Sequence, residues 1–161
     1  MSSASWEDVD ADLESMAEHF RNAAAIHERG AFDDDGLDGY IASMAFLHSM
    51  QCGYASAEAA LLRILDAIEE DRPTGADWHQ VLIRRWSMPI AEGEFARPAL
   101  FGRRLADAMQ ELRGFRHVAI HIYERIYPER FPAAVAAASR VVLELPEAVR
   151  RFRDAIDPTG R

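Results

Sequence analysis

The chain contains no lysine: all 18 of its basic residues are arginine. It has a single cysteine, Cys52, which excludes an internal disulfide framework and a cysteine-built zinc site and suits a reducing compartment. Its nine glycines never gather into a phosphate-cradling loop, so neither a P-loop nor a dinucleotide fingerprint is present. No apolar run approaches the ~18 residues needed to span a bilayer. The stretch from Met1 to Asp8 shows neither a basic region nor an apolar segment of the kind that directs secretion. These absences predict a soluble, cytoplasmic protein with no membrane partner. Alternating apolar and polar residues of useful length are also missing, which excludes a sheet-based core.

Charge is present but unevenly placed. The net charge of −9 argues against a nucleic-acid partner when taken as a single number. Residues 1–71, however, hold 16 acids against three arginines, whereas residues 72–161 hold 11 acids against 15 arginines. An acidic half therefore precedes an arginine-rich one. Arginine grips phosphate with two parallel hydrogen bonds, which suits an RNA-facing site. Exclusive use of arginine is equally the mark of biased base composition, and both readings stand at this point.

Apolar residues make up 49% of the 161 residues, enough for one domain to bury a core without covalent staples. Their spacing is helical almost throughout. A first helix is expected from Ser5 to about Arg29, capped by Ser5 and followed by Gly30 and the acidic loop Asp33-Asp34-Asp35-Gly36. A second, long helix is expected from Leu37 to Glu70, with Gly53 as a bend. Asp77 is placed to cap a short third helix through Trp78, Leu82 and Trp86. A fourth should run from about Ala99 to Ile126, with Gly114 marking a bend or a close helix approach. The last should reach Ile156, kinked or split at Pro146. Four longer helices and a short one, joined by short loops, predict an all-α, antiparallel up-down bundle. Residues 1–35 form an N-terminal helix and acidic loop, and residues 36–157 the bundle proper, within a single domain.

The polar side chains of most chemical interest cluster between Glu111 and Tyr123 in the fourth helix. At ~100° per residue, Arg116 and Tyr123 fall within ~20° of each other, two turns apart on one face. His121 projects beside that face, ~140° from Arg116. His117 and His121, four apart, can reach a common point. Such groups suit attack of a ribose 2′-hydroxyl on the adjacent phosphate: histidine moves protons near neutrality, and arginine holds the developing negative charge. One helix supplies few of these groups. Two copies meeting across a two-fold axis would double them, so a homodimer is expected.

The segment from Arg116 to Tyr123 resembles the Arg-x4-His-x-Tyr signature of the HepT-like ribonuclease toxins in the HEPN superfamily, with His117 in the place where that family carries a polar residue. The stretches Tyr54–Ile68, Pro73–His79 and Leu145–Glu147 are also similar to one HepT-like subfamily, so the likeness spans roughly residues 40–156. The resemblance implies a HEPN-like bundle and a metal-independent endoribonuclease that needs no cofactor. It further implies a composite site at the interface of a homodimer. Arg116 and His121 would be catalytic, with His117, Tyr123 and Glu58 in support. It implies an RNA substrate and a nucleotidyltransferase antitoxin that transfers AMP to Tyr123. The family's toxins are less acidic than this chain, and the first 30–35 residues have no counterpart in the likeness.

Other readings of the same residues remain open. His117, His121 and Glu124 share a helix face and could be read as metal ligands, although they lack the His-Glu-x-x-His arrangement and a second ligand cluster. His79 reads as a local structural histidine, or as part of a cleft rim. Glu58 reads as an ion-paired glutamate, or as a group that orients the catalytic pair from across the bundle. Trp6, Trp78 and Trp86 read as core or interface anchors, because no basic run surrounds them. The run Asp33–Asp35 is a solvated loop, since the remaining ligands of a calcium loop are absent. The alternative function is a non-catalytic HEPN module that docks a nucleotidyltransferase, with the acidic half in the contact.

Overall fold

The computed structural model describes residues 3–32, 34–93, 96–121 and 128–157, with side chains for all of these except 3–5 and 118–121. Five α-helices carry the fold: α1 (Ser3–Arg29), α2 (Leu37–Ala67), α3 (Trp78–Trp86), α4 (Arg103–His121) and α5 (Phe131–Ile156). A 3-10 turn, Pro128–Arg130, leads into α5. Among the described residues the only strand-like feature is an isolated bridge between Ile90 and Arg97. The chain is an all-α helical bundle.

The long helices run antiparallel, and named contacts show it. Between α1 and α2, Arg63 pairs with Asp12, Ser56 with Ser15, and Phe46 with His27, so one number falls as the other rises. Between α1 and α5, Arg153 donates to Asp10 near one end, while Arg21 and Val142 line a common groove further along. Between α4 and α5, Ala108 lies near Ala137 and Phe115 near Phe131. Each helix buries one face, and the centre is aromatic. The ring of Phe46 meets Phe32, Phe115 and Phe131 at centroid separations of 5.7, 5.9 and 4.3 Å, tying α2, α4 and α5 together.

Several helix ends differ from the sequence expectations. Ser5 lies inside α1, whose first residue is Ser3, so it is not the cap. Gly30 does terminate α1, with φ of +75° that a side chain would disfavour. Helix α2 stops at Ala67 rather than Glu70, and Glu69 takes a left-handed φ of +61°. Asp77 occupies the cap position of α3 but makes no side-chain cap bond. Residues 99–102 are not helical: the Trp86 carbonyl accepts hydrogen bonds from both the Leu100 and Phe101 amides, which holds them in a bend. The expected end of α4 at Ile126, like Asp33 of the acidic loop, lies outside the described residues.

Two glycines and a proline also act differently from expectation. Gly53 is a contact point and does not break α2: a Cβ there would stand 2.5 Å from Cδ1 and Cε1 of Phe20. Gly114 is exposed, and no described residue comes within 4 Å of a Cβ built there, so among the described residues no helix approaches it closely. Helix α5 runs through Pro146 without interruption. Losing one hydrogen bond there costs ~3 kcal/mol, and Val141, Leu145, Val149 and Phe152, all buried on one face, offset it at ~1.5–3 kcal/mol each.

The long connection between α3 and α4 is held by a buried ion pair. Arg97 donates from Nε to Glu70 Oε1 at 2.5 Å, and its guanidinium lies over the Trp86 ring at 4.5 Å. The side chains of Arg97 and Glu70 are only 3% and 9% exposed, so each charge depends on the other. No helix among the described residues is long and apolar enough to cross a membrane.

Candidate functional site

The expected site residues fall on α2 and α4. Arg116 is on α4 and half-buried, and it makes no hydrogen bond or ion pair with any other described residue. His117 follows it and is exposed. His121 is the last described residue of α4, about 7.5 Å along the helix axis from Arg116. The side chain of His121 lies outside the described residues, as do Tyr123 and Glu124. The α4 backbone therefore carries Arg116 and His121 on one continuous helix. Their convergence on a common point, and the placement of Tyr123 on the Arg116 face, stay expectations.

Glu58 is the expected supporting residue that the structure describes most fully. It sits on α2 with its side chain only 7% exposed, so its carboxylate requires a partner. His79 is that partner: its Nδ1 makes a very short contact with Glu58 Oε1, linking the start of α3 to α2. The imidazole of His79 stacks on Trp78 at 3.7 Å between ring centroids. Glu58 is therefore paired with His79 across the bundle, and His79 links two helices.

Tyr54 completes this cluster, and the sequence reading missed its role. It precedes Glu58 by one helical turn, and its hydroxyl is buried without a well-aligned hydrogen bond to any described residue. Burial, reinforced by the neighbouring Glu58 carboxylate, pushes this hydroxyl well above the usual tyrosine range. The positive charges of Arg113 and Arg116 on α4 oppose that shift. Arg113 is steadied by a 2.8 Å hydrogen bond from its Nε to Gln110. The available signal was the i, i+4 spacing of Tyr54 and Glu58 on α2.

The candidate residues are thus a cation on α4 and a carboxylate–imidazole pair shared by α2 and α3, next to the buried Tyr54 phenol. Guanidinium groups bind phosphate oxygens, and an imidazole held by a carboxylate can accept a proton. Among the described residues, no three His, Cys, Asp or Glu side chains group as metal ligands. Trp6 and Trp86 are buried beneath Arg153 and Arg97, each guanidinium 4.5 Å from the ring centroid, so neither is a platform for a base. A groove of about 560 Å³ between α1 and α5, bordered by Leu13, Val142 and Pro146, contains none of the motif residues.

No curated protein and no solved structure matched this chain. A family model described as "HepT-like protein" matches residues 45–156, well over half the chain. That match takes in Tyr54, Glu58, His79 and the whole Arg116–Tyr123 motif, and it starts within α2 and ends at the last residue of α5. The chain belongs to the HepT-like protein family.

Proposed function

We propose that this protein is the toxin of a bacterial toxin–antitoxin pair, a metal-independent endoribonuclease that works as a homodimer. The observation that carries the reading is Arg116. It is a half-buried guanidinium with no anionic partner among the described residues, in the first position of the Arg-x4-His-x-Tyr pattern that the sequence resembles and within the span of the family match. A cation in that setting is well placed to receive a phosphate group. In this reading Arg116 polarises the scissile phosphate, His121 moves protons, and His117 assists by hydrogen bonding. Tyr123 lines the site and accepts AMP from a nucleotidyltransferase antitoxin. A phosphate-bearing group there would fill the cleft and compete for the charge of Arg116.

The dimer is supported by an apolar stripe on the outer face of α2. Leu37, Tyr40, Ile41 and Met44 are 71, 61, 53 and 37% exposed and follow one another at helical spacing. Leu47, Gln51, Tyr54 and Glu58 extend the same periodicity along the helix. A second copy seated on this stripe would lie beside the Arg116 site. Part of the acidity of the N-terminal half is neutralised within the chain, by Arg63 against Asp8 and Asp12 and by Arg153 against Asp10.

The test is to incubate the purified chain with labelled RNA in the presence of a chelator. Cleavage is expected from the wild type and is expected to be lost in Arg116→Ala and His121→Ala, with helical circular dichroism unchanged. Intact RNA with the wild type would instead favour the non-catalytic docking module.

A further inference from the structure

The positive charge of α4 is not confined to Arg116. We propose that the edge of α4 bearing Arg113, Gln110 and Arg103 holds phosphates that flank the scissile bond. The substrate is then a single-stranded RNA laid along this helix toward its first turn. The proposal rests on the ribonuclease reading above and adds a binding track to its catalytic pair.

Helix geometry sets out the edge. Leu105, Met109 and Leu112 are buried and mark the face of α4 that meets the core. At ~100° per residue, Arg113, Gln110 and Arg103 follow Arg116 around the helix at ~60°, ~120° and ~140°. Asp107, Glu111 and Arg104 fall at ~180°, ~220° and ~240°. The structure shows where this second group faces: Asp107 and Arg104 line a groove against Ala136, Ala137 and Arg140 of α5. Asp107 and Glu111, the acids of α4, thus lie toward α5, and the edge leading from Arg116 carries none. Confining cations to one edge lets a chain of net charge −9 receive a polyanion.

Spacing and exposure fit a strand and not a lone phosphate. At ~1.5 Å rise per residue, Arg113 stands ~4.5 Å and Arg103 ~20 Å along the axis from Arg116. Arg113 and Arg103 therefore serve different phosphates. Arg113 is half-buried, and its Nε donates to Gln110 Oε1 at 2.8 Å, which leaves its two terminal nitrogens for a phosphate. The Arg103 side chain is 94% exposed, and its 3.9 Å contact with Asp107 joins two solvated groups, so a phosphate can displace it. Attack by the neighbouring 2′-hydroxyl needs a backbone free to swing into line, which base pairing prevents, so the strand is single.

The experiment measures binding to a 2′-O-methylated single strand, which cannot be cut, over a range of salt concentrations. Cleavage of a long strand and of a dinucleotide is followed alongside. Wild type is compared with Arg113→Ala, Arg103→Ala and, from the α5 side, Arg104→Ala, and melting curves verify each fold. In Arg113→Ala and Arg103→Ala the slope of log affinity against log salt is expected to become shallower by ~0.7, one phosphate contact each. Arg104→Ala is expected to keep the wild-type slope. Arg103→Ala should raise KM for the long strand far more than for the dinucleotide, which is too short to reach it. Wild-type slopes in both edge variants overturn the proposal. So does an Arg104→Ala slope as shallow as theirs, which marks diffuse attraction without an edge, or tighter binding of a duplex than of the single strand. Each of these leaves the ribonuclease reading standing. A wild-type chain that cuts neither substrate overturns both.

Discussion

Gly53 of α2 lies directly beneath the ring of Phe20 of α1, so close that a single added carbon would stand 2.5 Å from two ring atoms. Phe20 is itself only 2% exposed and has little room to retreat. The glycine is what lets these two helices approach.

Gly53→Ala is therefore expected to destabilise the fold. Alanine gains ~1 kcal/mol in helix propensity, but overpacking a tight crossing costs ~1–3 kcal/mol. A net loss in urea unfolding is the expected outcome. Adding Phe20→Leu should recover part of it, and a stabilised single variant would refute the close crossing.

Arg97 and Glu70 predict a non-additive pair. Removing one partner strands the other charge in the interior, so Arg97→Ala is expected to cost ~3–5 kcal/mol. The double variant Glu70→Gln with Arg97→Met removes both charges and should cost less than Arg97→Ala alone. Urea midpoints for the four chains measure the coupling, and simple additivity would mean that the pair is solvated.

The Tyr54 hydroxyl predicts alkaline sensitivity. Its folded pKa is raised above the unfolded value of 10.0, so above pH 10 the folded state keeps a proton that the unfolded state has released. Its contribution is fully present below pH 10 and is lost as pH rises toward the folded value. Stability should fall by ~1.4 kcal/mol per pH unit in that window. Tyr54→Phe should flatten this slope. An unchanged slope in denaturant titrations between pH 10 and 11 would show that the phenol is accessible.

The apolar stripe of α2 predicts the oligomeric state. Met44→Glu introduces a charge among Leu37, Tyr40 and Ile41 and is expected to give a monomer in sedimentation while the wild type is a dimer. RNA cleavage should fall along with dimerisation. A wild type that sediments as a monomer would remove the reason for this face.

Much of the site could be read from spacing, because α4 is regular and helix geometry converts residue number into direction. Arg116, His117 and the backbone of His121 stand on that helix. Glu58 could be singled out as a polar residue in an apolar helix. Its partner could not: Glu58 and His79 are 21 residues apart on different helices, and nothing in the periodicity of either marks them as neighbours.

The sequence by itself determined the helices and the family, because a periodic apolar pattern and a short motif are local properties that neighbouring residues define. The tertiary structure decided the rest: that Gly53 is the point where α1 crosses α2, that α5 continues through Pro146, and that a buried carboxylate pairs with His79. Each of these is a competition between a local preference and packing energy summed over residues distant in the chain. Only the folded arrangement brings the winning atoms together.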